Sequence, residues 1–144
     1  MIDEISLQMR LLRAAEEADT SLEELTEREI LILELLNERG KMSISDVANS
    51  FARVAPSTIS ITLTKLWRDR GLVSKAIDPS NQRVTTVELT DKGIDTVEQI
   101  KRGRAERFRI LIDALGLKEQ EYEVLTSIMV RAISYLDKML QCVV

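Results

Sequence analysis

Residues 73–93 read VSKAIDPSNQRVTTVELTDKG, and the fold follows from this stretch, Val73 to Gly93. Two short runs of β-type residues flank Asp78-Pro79-Ser80-Asn81-Gln82-Arg83, a cluster of turn formers with one cation near its end. Proline presets the backbone for a turn, and Asp, Ser and Asn side chains bond the main chain two residues on, so the chain reverses here. In the second run Val87 and Leu89 alternate with Thr86, Glu88 and Thr90, a period of two that buries one face. The stretch predicts a β-hairpin with a polar, arginine-bearing tip. It directly follows a candidate helix, Pro56–Arg70, that is rich in small hydroxyl side chains.

Working outward, the rest of the chain reads as helix. Ile2, Ile5, Met9 and Leu12, with Leu7 and Leu11 beside them, make an amphipathic helix whose apolar stripe is too wide for a solvated arm. Asp19-Thr20-Ser21 breaks it. Thr26 and Glu29 then form a capping box, with Leu25 and Ile30 placed as a hydrophobic staple. The helix they start, EREILILELLNER, is apolar on most sides, belongs in the centre of the core, and ends at Gly40. Ser43 or Ser45 caps a short helix through Val47, Ala48 and Phe51. Pro56 fits the first turn of the next helix, and Gly71 ends it. After the hairpin a long helix starts near Asp91, apolar at Ile94, Val97, Ile100, Phe108, Leu111, Ile112 and Leu115, and Gly116 interrupts it. The last helix carries Leu125, Met129, Ala132, Leu136 and Met139 at 4-3-4-3 spacing, a seam suited to another helix.

Composition agrees. At 144 residues the chain makes one domain or a tight two-lobed unit. Hydrophobic content is 44% but aromatic content only 3%, so aliphatic side chains do the packing. Charge is unevenly spread: residues 1–40 carry 11 acids and 4 bases, residues 41–92 carry 8 bases and 5 acids, and residues 93–144 carry 8 of each. The only net-positive third is the one with the hydroxyl-rich helix and the hairpin. Local field matters more than the total of −4 for binding a polyanion.

DPSNQR, followed by a strand and then LTDKG (Leu89 to Gly93), resembles the wing of the MarR (multiple antibiotic resistance regulator) family of bacterial and archaeal transcription factors. That wing commonly reads Asp-Pro-x-Asp-x-Arg, a strand, and Leu-Thr-x-Lys-Gly; here Asn81 stands where the family usually has Asp. The resemblance covers nearly the whole chain. It implies a mainly α fold with a small β-hairpin wing, a winged helix-turn-helix lobe flanked by N- and C-terminal dimerisation helices. The divisions expected are residues 1–24 for the first dimerisation helix, 25–92 for the DNA-binding lobe and 93–144 for the C-terminal helices that complete the dimer. The function implied is a sequence-specific regulator of double-stranded DNA, a repressor acting as a homodimer on a pseudo-palindromic operator. A small-molecule effector that releases it is implied by the resemblance alone. On the residues by themselves, the stripes at both ends fit packing on their own subunit as well as on a second copy.

Placing the helix on a wheel at about 100° per residue, with Ile59, Leu63 and Leu66 inward, gives an outward face of Ser57, Ile61, Thr64, Lys65 and Arg68, flanked by Thr58 and Ser60. Small hydroxyls let a helix enter a major groove closely and bond phosphates or base edges. Lys65 and Arg68 are expected to reach phosphates. Ile61 stands where the family often has a basic or polar residue, and contact with a thymine methyl is its natural role. In the wing, the resemblance implies that Asp78 either pairs with Arg83 to stiffen the hairpin or leaves it to enter the minor groove, where the potential of A·T-rich tracts favours arginine. Asn81 and Gln82 are expected at phosphate or sugar. The bland alternative is an ordinary solvated helix face and a surface ion pair of little weight.

Other chemistries find little support. The chain has no histidine and none of the glycine patterns that cradle phosphates or dinucleotides. No catalytic residue, metal site or cofactor is expected. Carboxylate pairs such as Glu16-Glu17 and Glu23-Glu24 read as solvated. Cys142, the single cysteine, excludes an internal disulfide and reads as incidental. No apolar run approaches the ~18 residues of a membrane span, which makes the expected location cytoplasmic. The serious competitor is a winged helix used for protein–protein assembly without DNA binding; the positive middle third and Arg83 weigh against it.

Overall fold

A computed structural model describes residues 1–17 and 25–143. The Asp19-Thr20-Ser21 break and the Glu23-Glu24 pair lie outside the described residues, as do the side chains of Glu16 and Glu17. The elements run α1 (Ile2–Glu17), α2 (Glu27–Arg39), β1 (Met42–Ser43), α3 (Ile44–Asn49), α4 (Pro56–Arg68), β2 (Val73–Asp78), β3 (Asn81–Leu89), α5 (Asp91–Leu115) and α6 (Glu119–Val143). The fold is mainly α with a small antiparallel sheet of order β1-β3-β2, and the helices at the two ends flank a winged helix-turn-helix lobe.

Local chemistry sets the helix ends. Thr26 Oγ1 accepts from the Glu29 N–H at 3.3 Å while Glu29 accepts from the Thr26 N–H at 2.8 Å, the reciprocal capping box. Of the two candidate serines, Ser43 caps α3, accepting from the Asp46 N–H at 3.0 Å. Phe51 falls just beyond α3, partly buried against the core. Pro56 opens α4 with no side-chain cap before it. The helix ends at Arg68, two residues short of expectation, because Arg70 and Leu72 turn back onto the carbonyls of Lys65 and Leu66 through Gly71, whose φ of +64° is a region that glycine enters freely.

The wing is tighter than the turn cluster suggests. Only Pro79 and Ser80 form the reversal, and β3 already starts at Asn81. Register runs regularly from Val73↔Leu89 to Ile77↔Thr85, then jumps to Asp78↔Asn81. Gln82, Arg83 and Val84 therefore have no opposite residue on β2 and bulge outward, a device that re-aims side chains. Beyond the expected hairpin there is a third strand: β1 pairs with β3 through Met42↔Val87 and Ser43↔Thr86. A two-residue strand carries no periodicity to read.

The core consists of Ile32, Leu33, Leu36, Val47, Ile59, Leu63, Leu66, Leu72, Val73, Val87 and Val97, with Met42 and Ala48 at its margin. Every buried residue among those described lies between Glu29 and Val97. Fully burying one such aliphatic side chain contributes about 1.5–3 kcal/mol, so the lobe closes on itself without α1 or α6. Those helices stay bare: Ile5, Leu7, Met9 and Leu11 on α1 and Ile128, Met129, Ile133, Leu136 and Met139 on α6 are all exposed. The chain exposes 11068 Å², against roughly 7,500 Å² expected of a folded monomer of this length.

Candidate nucleic-acid interface

The α4 helix presents to solvent the face that the wheel assigns. Ile59, Leu63 and Leu66 are fully buried, while Ser57, Ile61 and Arg68 are exposed and Thr58, Ser60 and Thr64 are half-buried. Ile61 is 71% exposed, extreme for a β-branched aliphatic residue in the middle of a helix that also packs on a core.

Two residues of this face are already engaged. Lys65 Nζ lies 3.2 Å from Glu29 Oε1 on α2, so it leans back over the lobe instead of standing free for a phosphate. Burial works to raise the Glu29 pKa, but the Thr26 N–H, and then Lys65 and Arg70, outweigh it and hold the carboxyl below the usual carboxylate range. Thr64 Oγ1 donates to the Ser60 carbonyl at 2.9 Å and accepts from Lys75 Nζ on β2, also at 2.9 Å. The hydroxyl thus joins α4 to the wing strand β2.

At the wing tip, of the two arrangements open to Asp78 and Arg83, the ion pair does not form. Asp78 Oδ1 accepts from the Ser80 hydroxyl at 2.7 Å and the Ser80 N–H at 2.8 Å, closing an Asx turn. These bonds, the hydroxyl foremost, lower its pKa. An aspartate saturated two residues away has no need of a cation across a bulge. Asn81, Gln82 and Arg83 are all exposed; Asn81 Oδ1 accepts from the Arg83 N–H at 3.2 Å, and the Arg83 guanidinium has no partner among the described residues.

The LTDKG motif sets the angle between helix, wing and α5. Thr90 caps α5, accepting from the Gly93 N–H at 3.1 Å and donating to the Gly71 carbonyl at 2.7 Å. Lys92 Nζ caps the end of the α4 turn at the Arg70 carbonyl, 3.0 Å away. Gly93 has no room for a side chain, since a Cβ there would sit 2.1 Å from the Leu72 carbonyl oxygen.

Trp67 and Lys75 also meet at the seam between α4 and β2, although no motif in the sequence marks them. The Arg68 guanidinium carbon lies 5.0 Å and the Lys75 ammonium 5.2 Å from the centre of the Trp67 ring. Burial, and then the Arg68 charge, lower the Lys75 pKa. The only signal in the sequence was a lysine on a short strand beside a helix that ends in Trp-Arg. Elsewhere among the described residues, no group of three or more Cys, Asp or Glu side chains is placed to hold a metal ion, and no helix is long and apolar enough to cross a membrane.

Comparisons with known proteins bear on this geometry. Residues 25–93 match the family model described as a winged helix DNA-binding domain. The chain is 35% identical over 78 residues to the HTH-type transcriptional repressor IacR of Pseudomonas putida, covering 54% of this chain and 46% of that protein. It is 29% identical over 103 residues to the HTH-type transcriptional regulator MhqR of Bacillus subtilis, covering 72% and 68%. Among solved structures, FabT of Streptococcus pneumoniae in complex with DNA superposes with a TM-score of 0.75 at 18% identity, over 96% of this chain and 94% of that one. The match to IacR spans about half of that relative's length, and the likeness to FabT is one of fold.

Proposed function

We propose that this chain is a winged-helix transcriptional regulator of the MarR family that binds double-stranded DNA in a sequence-specific way as a homodimer and represses transcription from a pseudo-palindromic operator. The family is non-enzymatic. The observation that carries the reading is the open face of α4: Ser57, Ile61 and Arg68 stand in solvent beside a wing whose Arg83 is uncommitted. Ser57, Thr58, Ser60 and Ile61 near the start of α4 read base edges in the major groove. Arg68 takes phosphate, and the bulged Gln82 and Arg83, with Asn81, hold the neighbouring minor groove or backbone. Lys65, tied to Glu29, orients the helix.

Dimerisation rests on the bare apolar faces of α1 and α6. They account for much of an exposed area about 3,500 Å² above the monomer expectation, and a stable interface buries ~1,200–2,000 Å² or more. Two lobes so joined place their recognition helices on half-sites with centres ~34–36 Å apart. A small molecule that binds the two spacings unequally shifts the population and releases DNA. The work is done inside the cell, where the DNA is.

A gel shift on mixed genomic DNA at graded salt, followed by selection from a random duplex pool, tests the reading. Expected are a salt-dependent shift and a two-fold symmetric consensus with half-sites one helical turn apart. Complete absence of binding at low salt sinks it. That result promotes docking on a protein, a reading that the exposed Ile61 and Ile77 would then support.

A further inference from the structure

Trp67, Arg68 and Lys75 form a cationic cluster at the end of α4 for which the base-reading face has no use. Arg68 and Lys75 both lie about one ring-contact distance from the Trp67 centroid, 5.0 and 5.2 Å. Neither has a carboxylate partner among the described residues, although acids are plentiful in this chain. Like charges brought together without a counter-charge repel, and partial burial adds to the cost of the ammonium. The fold holds them there by specific means: Thr64 accepts one ammonium proton at 2.9 Å, and each cation lies within cation–π reach of the Trp67 ring. An ammonium has three donors; Thr64 takes one, which leaves others for an incoming acceptor.

We propose that Lys75 and Arg68, seated on Trp67, form a preorganised clamp for a DNA backbone phosphate. The inference rests on the DNA-binding reading above and adds to it a wing-strand residue, Lys75, as a direct contact. Thr64 is then a positioning residue that aims the ammonium. The location favours duplex phosphate over a free anion. Thr64 and Arg68 are successive turns of the outward face of α4, and Lys75 comes from β2 of the wing, so the seat spans the seam between helix and wing. A strand lying against both elements must pass over that seam. The Thr64 hydrogen bond and the ring contacts already constrain the two cations, which lowers the side-chain entropy lost on binding.

Trp67 is the only tryptophan, so its emission reports on this spot alone. The full chain is titrated with a random-sequence duplex at several salt concentrations, and separately with inorganic phosphate at matched phosphate concentration. Expected for the unaltered protein is a saturable change in emission with duplex and none with inorganic phosphate. Lys75→Met should shrink that change and reduce the slope of log affinity against log salt by about 0.9 per subunit, roughly 1.8 for a homodimer that carries two Lys75 side chains. Lys75→Arg should restore the slope, and both variants should melt within a few degrees of the parent. An unchanged slope in Lys75→Met, or an equal response to inorganic phosphate, overturns the clamp while leaving DNA binding intact. No duplex binding by the unaltered protein at low salt overturns the DNA reading and the clamp with it.

Discussion

Lys65 Nζ on α4 sits 3.2 Å from the carboxylate of Glu29 on α2, and the acid is 1% exposed. Glu29 also completes the capping box, so one buried carboxylate starts α2 and braces α4 against it. Glu29→Ala removes both and leaves the Thr26 N–H unsatisfied; a loss of about 1–3 kcal/mol is expected. The sign of the pH dependence follows. The folded pKa lies below the ordinary 4.5, so the stabilisation is present above pH 4.5 and is lost as the pH falls through the folded value. Thermal melts from neutral to acid pH should show Glu29→Gln losing less stability below pH 4.5 than the parent. Parallel curves would contradict this.

Gly93 and Gly103 should respond oppositely to the same substitution. At Gly93 a Cβ meets the Leu72 backbone at 2.1 Å, and Gly93→Ala is expected to cost about 1–3 kcal/mol or more by overpacking. At Gly103 the nearest atom is the flexible end of Arg107, 3.6 Å away, in the interior of α5. Gly103→Ala should therefore stabilise by about 0.5–1 kcal/mol. Denaturant unfolding of the two variants side by side checks both signs.

Arg83→Ala should weaken DNA binding across all sequences and flatten its salt dependence, because the residue sits on a bulge and its guanidinium has no partner among the described residues. Ile61→Ala should do the reverse, lowering preference for a T·A pair at one position while leaving the salt slope alone. Competition binding with single-base operator variants separates the two. Equal losses on all sequences for Ile61→Ala would remove it from the base-reading set.

The α6 seam should be intolerant of charge. Leu136 is 55% exposed in the single chain, and the proposed homodimer would cover it. Leu136→Asp is expected to abolish the dimer at micromolar concentration, read by sedimentation. The isolated lobe keeps its own core from Ile30 to Val97, so helical signal should persist. A variant that stays dimeric would move the interface elsewhere.

Much of this architecture was legible because its signals are local. The capping box at Thr26 and Glu29, the Pro79-Ser80 reversal inside DPSNQR, and the Ile59, Leu63 and Leu66 stripe each arise from residues a few positions apart. Chain-local sterics and helical periodicity are enough to specify them. The LTDKG motif could be recognised but not explained, since its partners, Arg70, Gly71 and Leu72, only come near once α4, β2 and α5 converge.

The sequence alone thus determined the succession of helices, the wing and the face of α4 that points outward, because those depend on spacing along one chain. Tertiary structure decided which charges are free. It took Lys65 away to a buried acid on α2, left the Arg83 guanidinium without a partner among the described residues, and set Lys75 and Arg68 against one indole ring. Electrostatic partnership falls off with distance in space, and residues eleven or thirty-six positions apart become neighbours only after the core has closed.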